Sequence, residues 1–577
     1  MYPVTRSHGA LLQEDGTTRF ALWAPNGHEV AVELGDGTLH PLREHIDGWF
    51  SNQVDCAAGT SYRYLIDGHL HVPDPASRAQ VDDVHGFSQV VDPHSYAWRT
   101  ANWRGRAWHE TVIYEVHVGL LGGFAGVEAH LPNLLELGVT AIELMPLAGF
   151  SGLRNWGYDS VLPFAPESAY GTPDELKSLI DSAHAMGLMI FVDVVYNHFG
   201  SEGNYLGQYA SDFFRQDLQT PWGAAIDFRR VQVRDFFCEN ALMWLLDYRV
   251  DGLRLDAVHA IVDRDFLVEL AQRLRKAVEP GRHIHLMLEN ENNDIDLLQH
   301  GFDAQWNDDG HNVLYHLLTG ERDGYYADFA QEPARNLARC LKDGFIYQGR
   351  TDHGRNQGYS SANLEPTAFI LFLQNHGVSN RAVDERLINL ADENALKAAT
   401  ALLLLAPMVP LLFFGEEWGS HQPLLFFSKY QDTPTEAVRD TSRHQADREE
   451  RQRLISAQAN RPLAIPDHDP GNQPQQRHWR SFYRRLLYLR HAQIIPRLPG
   501  TRALNAEVVA EHAVCALWRL GDGCRLHIDI NLGNTPAWVG PQALGSTVLL
   551  AQGVEPEVYR QGSLPPRSAV VLLEDPA

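Results

Sequence analysis

Residues 250–261 read VDGLRLDAVHAI, a short apolar strand that breaks into polar residues at its end. Arg254 and Asp256 stand two apart, so in an extended chain both side chains project from the same face. A cation held beside a carboxylate keeps that carboxylate ionised. An ion pair of this kind is more often structural than functional, so its meaning depends on what surrounds it.

The same texture recurs on both sides of it. TVIYEVHVG (111–119), VTAIELMPL (139–147), LMIFVDVVYNH (188–198), HIHLMLEN (283–290), FDAQWNDD (302–309), AFILFLQNH (368–376) and VPLLFFGEE (409–417) are apolar runs of strand length. Between them lie helical periods such as AGVEAHLPNLLELG (125–138), TPDELKSLIDSAHAMG (172–187) and VRDFFCENALMWLLDYR (233–249). Strand and helix alternating in this way predict a parallel sheet covered by helices. About eight such strands predict a closed (β/α)8 TIM barrel of the α/β class rather than an open sheet. The connections after the second and third strands are long, as functional loops on a barrel face often are.

Residues 1–95 read differently, as short alternating runs between Gly, Asp and Asn turns, and predict an N-terminal β-sandwich. The barrel is expected over 96–494, and 495–577 returns to alternating runs such as AVCALWRL (513–520), predicting a C-terminal β domain. The charged stretch 431–454 is expected to be a solvated excursion containing a helix.

Composition narrows the function. The chain has 577 residues and a formal net charge of −25, which repels phosphate backbones and argues against nucleic-acid binding. Its 13 Trp, 20 Tyr and 24 Phe suffice to line a sugar-binding cleft, although most aromatic residues serve a core. Five scattered Cys without a CxxC pair oppose a disulfide framework or a thiolate metal site. The N-terminus lacks an apolar signal core, and no stretch reaches the roughly 18 apolar residues of a membrane span, so a cytoplasmic protein without membrane contact is expected.

In a barrel the strands deliver the chemistry at their C-terminal ends. Those ends hold Asp193, Asn197 and His198; Arg254, Asp256 and His259; Glu289 and Asn290; Asp308 and Asp309; Asn375 and His376; Glu416 and Glu417. Glu289 follows an apolar strand with no cation nearby in sequence, so a raised pKa and a general-acid role are expected. An ionised Asp256 with a protonated Glu289 is the working pair of a retaining glycosidase, at roughly 5 Å separation. His198 and His376 would donate to sugar hydroxyls. A metal held by His198, Asp256 and Glu289 is the rival use. It is opposed by the lack of HExxH or HxH spacing and by Arg254, and neither a metal nor any other cofactor is expected.

DVVYNH, GLRLDAVH, LEN and QNH resemble the ordered motifs of the alpha-amylase-type glycoside hydrolases. The resemblance implies retaining cleavage of α-glucosidic bonds, with Asp256 as nucleophile and Glu289 as general acid/base. His198, Arg254 and His376 would hold the cleaved sugar, Tyr158 in NWGYD would be the platform beneath it, and Asp193 would be a scaffold. A narrower set of stretches, including residues 155–188, QWNDDGHNVLYHLLTGERDGYYADF (305–329), FFGEEWG (413–419) and FALWAPNGHEVAVEL (20–34), resembles the malto-oligosyltrehalose trehalohydrolase family. That implies hydrolysis next to a terminal trehalose, on a trehalose-ended glucan made by a companion synthase. Trp222, Trp306, Asp308 and Asp309 would hold the trehalose end and the oligosaccharide.

One feature departs from the family pattern. An Asp should follow His376, but NHGVSNR (375–381) has Gly377 there and is one residue shorter. Loss of a preorganised charge at a transition state typically costs on the order of 10²–10³ in rate. Reduced activity is therefore expected unless another acid, Asp384 being nearest, substitutes. A non-catalytic glucan-binding relative and a glucan branching transferase are the alternatives.

Overall fold

The computed structural model describes residues 6–220, 223–323, 326–348, 360–377, 386–422, 473–540 and 546–576. Eight parallel strands close into a barrel: β1 (Ile113–Val116), β2 (Ala141–Leu144), β3 (Met189–Val194), β4 (Gly252–Leu255), β5 (His285–Leu288), β6 (Ala304–Trp306), β7 (Phe369–Phe372) and β8 (Val409–Phe413). All eight predicted runs are present in the predicted order. Each strand is buried along its whole length, because helices cover the outer face and side chains fill the inside. Ile113, Ala141, Met189, Phe191, Met287, Ala304, Ile370, Phe372, Val409 and Leu411 pack the interior below its upper end.

The outer helices start and stop where local chemistry dictates. The helix Pro173–Ala185 opens with Thr172 and Glu175 capping each other's backbone N–H, with Pro173 at its first position. Gly123–Leu137 stops at Gly138, whose φ of 105° favours glycine. The apolar run 395–414 resolves into the end of the helix Glu393–Leu405 and then β8. Buried Arg490, just past the helix Pro474–Leu489, donates to the carbonyls of Leu404, Ala406 and Met408 and so satisfies that C-terminus. Strand β5 is followed by only one helical turn, Asp296–Gln299. Among the described residues no helix is long and apolar enough to cross a membrane.

Ahead of the barrel, two antiparallel sheets pack face to face as a β-sandwich. Thr18–Trp23 and Trp49–Val54 are central in one; Val30–Leu34 and Ser61–Ile66 are central in the other. Phe20 of the first meets Tyr62 of the second edge-on at 4.8 Å. After the barrel, Arg502–Ala510, Ala513–Arg519, Arg525–Asn531, Ser568–Glu574 and Thr547–Gln552 form one antiparallel sheet in that spatial order. The charged stretch 431–454 lies outside the described residues.

Candidate active site

Arg254 occupies the centre of the barrel mouth. Its Nη1 donates to Asp193 Oδ2 at 2.7 Å and to Asp256 Oδ1 at 2.9 Å, and its Nη2 donates to Glu289 Oε2 at 2.8 Å. One guanidinium thus gathers a carboxylate from β3, one just past β4 and one just past β5. Burial works against its charge, but the surrounding acids hold it firmly protonated. Beneath it lies the Trp306 ring, 4.1 Å from the guanidinium carbon.

Asp256 and Glu289 are fixed further by their neighbours. Asn197 Nδ2 donates to Asp256 Oδ2 at 2.9 Å. The N–H of Ala257 donates to Glu289 Oε2 at 2.9 Å, and the N–H of Val258 to the Glu289 carbonyl at 3.0 Å. Ala257 reaches this position with φ at 42°, a left-handed conformation costly for a side chain bearing Cβ. Strain directly after Asp256 is the kind of feature that functional sites retain.

Accessibility separates the acids. The side chains of Asp256 and Glu289 keep 12% and 23% of their surface open, whereas Asp193 is sealed at 1%. Burial pushes the Asp193 carboxyl up, although Arg254 opposes this. Tyr158 donates to Asp193 Oδ2 at 2.7 Å and stacks on His376 with ring centres 4.7 Å apart. The Nδ1 of His376 donates to Glu115 Oε1 at 2.5 Å, and its backbone N–H donates to Glu115 Oε2 at 3.2 Å.

Several expectations need correction. Glu289 is not in an apolar setting, because parallel closure of β4 beside β5 brings Arg254 onto it. His198 has both ring nitrogens on protein oxygens, Asn197 Oδ1 at 2.5 Å and the Tyr158 carbonyl at 2.9 Å, so it braces Tyr158 rather than presenting a free donor. Trp306 is 1% exposed inside the barrel and cannot be a surface on which sugar stacks. Asp309 accepts from Asn293 Nδ2 and from the N–H groups of Ile346 and Tyr347, so it anchors a loop from the buried side of its helix. Glu416 and Glu417 leave the barrel mouth altogether. Glu417 accepts from Tyr114, whose side chain faces outward from β1, and Glu416 lies with Arg386, Trp479 and Tyr483 under the last barrel helix. Burial pushes their carboxyls up, to about 8 for Glu416 and about 7 for Glu417. Half-buried Asp308 opens the helix Asp308–Thr319, where its charge suits the N-terminus. Trp222 and Asp384 lie outside the described residues.

Two residues were missed. Glu115 in IYEV and Glu143 in AIEL each interrupt an otherwise apolar buried strand, and that interruption is a signal, since fully buried Glu is rare. At the departure from the family pattern, the N–H of Gly377 donates to Asn375 Oδ1 at 2.8 Å. A Cβ there would meet the same oxygen at 3.0 Å, so Gly377 closes a tight turn that a side chain would crowd.

The description "Alpha amylase, catalytic domain" matches residues 91–237, and a domain of unknown function (DUF3459) matches 501–571. The chain is 38% identical over 443 residues to the malto-oligosyltrehalose trehalohydrolase of Saccharolobus solfataricus, covering 74% of this chain and 77% of that one. It is 39% identical to the protein of the same name from Deinococcus radiodurans, covering 76% and 74%. A crystal structure of an alpha-amylase candidate from Salmonella typhimurium superposes with a TM-score of 0.87 at 40% identity, over 99% of this chain and 100% of that one. These relatives lend no support to the expectation of a weakened enzyme. With the barrel, the flanking β domains and the Arg254-centred acids in place, this likeness over three-quarters of both chains means that the chain belongs to the malto-oligosyltrehalose trehalohydrolase family, within the alpha-amylase-type glycoside hydrolases.

Proposed function

We propose that this protein hydrolyses the α-1,4 bond next to the terminal trehalose of maltooligosyl trehalose, releasing trehalose with retention of configuration. The observation that carries the reading is that Asp256 and Glu289, the two partly open acids, sit on neighbouring nitrogens of one guanidinium. That brings them within reach of the short spacing, roughly 5 Å, of a direct-attack mechanism.

In the first step an Asp256 oxygen attacks the anomeric carbon of the malto-oligosaccharide. Glu289 gives its proton to the glycosidic oxygen, and the bond to trehalose breaks. In the second step Glu289 takes a proton from water, the water oxygen attacks the same carbon, and the bond to Asp256 breaks. Arg254 donates to both acids and holds them in place through the two steps. Tyr158 and His376, stacked and tied to Asp193 and Glu115, form the wall against which the cleaved sugar rests. Trp222 and Asp308 remain the residues we assign to the trehalose end and the oligosaccharide.

The same reading includes a companion synthase that supplies the trehalose-ended glucan, a cytoplasmic location, and a division at residues 95/96 and 494/495. The run of helical structure from Pro474 gives way after Arg497 to the C-terminal sheet at Arg502, which supports a second boundary in this neighbourhood. Incubation with maltooligosyl trehalose tests the activity. Free trehalose is expected in amounts far above an Asp256→Asn control; no release above that control defeats the proposal. New α-1,6 linkages from amylose would favour a branching transferase instead.

A further inference from the structure

Strand β1 places Glu115 directly opposite Glu143 of β2 in the parallel register, both inside the barrel and both without solvent exposure. The two acids have very different surroundings. Glu115 uses both oxygens on His376, one on the ring and one on the backbone N–H. Neither oxygen of Glu143 has a hydrogen-bond partner among the described residues. Two carboxylates this close, with Asp193 as a third acid nearby, cannot all carry charge in a water-free layer. The one without hydrogen-bond donors keeps its proton.

We propose that Glu115 is a positioning residue for the reaction: it fixes the tilt of His376 and holds its ring in the charged, doubly donating form, while Glu143 carries a proton beside it. This rests on the reading of His376 as part of the sugar-holding wall. The groups that face His376 are Glu115 on β1, His117 just beyond it, Tyr158 from the loop after β2, Asp193 on β3 and Arg254 on β4. Of these, Arg254 opposes a charge on the ring, whereas burial pushes His117 down to about 4 and leaves it neutral. Glu115 prevails because it is in direct contact, whereas the charge of Arg254 is shared among three acids. Burial works against the imidazolium, but Glu115 brings His376 above the ordinary imidazole value. Burial, reinforced by Glu115 and Asp193, pushes the Glu143 carboxyl far up. With glycine at 377, the carboxylate beside this histidine comes from below, out of the barrel, rather than from the next residue in the chain.

The test is the titration of His376 in the full-length protein, followed by NMR with labelled histidine and assigned by its loss in His376→Gln. In the wild type the ring is expected to titrate above the ordinary value of about 6.5. Glu115→Gln should lower that titration and move the alkaline limb of kcat/KM in the same direction. It should also cut kcat/KM on the order of 10–100-fold, as loss of an outer partner of a working histidine typically does. Glu115→Asp should recover part of both, and Glu143→Gln, which mimics the protonated acid, should leave the His376 titration in place. A wild-type His376 that titrates at or below about 6.5 overturns the proposal, even if Glu115→Gln fails to fold. So does a folded Glu115→Gln protein in which neither the titration nor the alkaline limb moves. The titration needs no turnover, so failure to release trehalose would defeat the functional reading without deciding this one.

Discussion

Strand β4 has a single buried acid at its foot and a cluster of acids at its mouth, and the two ends are built on opposite terms. At its foot, Asp251 Oδ1 accepts from Trp103 Nε1 at 2.7 Å, and Oδ2 accepts from His184 Nε2 and the N–H of Ile190, both at 2.9 Å. Trp103 stacks on the same histidine at 4.9 Å and closes the site. One acid there has donors on both oxygens. At the mouth, Arg254 serves Asp193, Asp256 and Glu289 at once, while Asp193 Oδ1 and both oxygens of Glu143 have no hydrogen-bond partner among the described residues. The foot is arranged for stability. The mouth holds surplus negative charge, which is unfavourable for folding and useful for stabilising a positively charged sugar transition state.

The contrast is broken most severely by Asp256→Asn. We expect about a 10⁴-fold or greater loss of trehalose release with the thermal midpoint nearly unchanged. A protein that loses stability in step with activity would make Asp256 structural. Arg254→Met should affect both properties, because it strands three acids around a buried apolar side chain. Activity should vanish, and urea denaturation should show a loss of about 3–5 kcal/mol.

The foot should respond the other way. Asp251→Asn is expected to cost about 1–3 kcal/mol in the same denaturation measurement while kcat of the folded protein stays close to wild type. A large fall in kcat would mean that the two ends of β4 are coupled. The smallest effect concerns the acid side of the stability curve. Burial alone would raise the Asp181 carboxyl, but hydrogen bonds from Thr100 and Arg99 bring it down to about 2. A carboxyl held below its unfolded value of about 3.9 stabilises the fold above that pH, and the contribution is lost as pH falls through the folded value. Asp181→Asn should therefore flatten the decline in stability between pH 4 and pH 2, measured by thermal melts across that range.

The site was legible in sequence wherever neighbours along one strand decided it. Arg254 and Asp256 share a face because extended chain repeats every two residues, and their ion pair follows from that spacing alone. Glu289 was found by its place at a strand end, but its surroundings were not, since its cation comes from the adjacent strand. Trp306 and Asp309 were expected to hold substrate because the segment around WNDD resembles that of the family. In the fold, the tryptophan points into the barrel and the second aspartate caps loop N–H groups from the buried side of a helix. Glu115 and Glu143 passed unnoticed because each lies in mid-strand, where apolar neighbours mask a single acid.

Periodicity and apolar run length decided the barrel, its strand order and the β domains on either side, because backbone geometry and burial act locally and repeat. Only closure of the barrel decided which acids share Arg254, which acid stands under His376 and which tryptophan is sealed beneath the site. Those contacts join residues from separate strands, and their strength depends on the burial that the closed sheet creates.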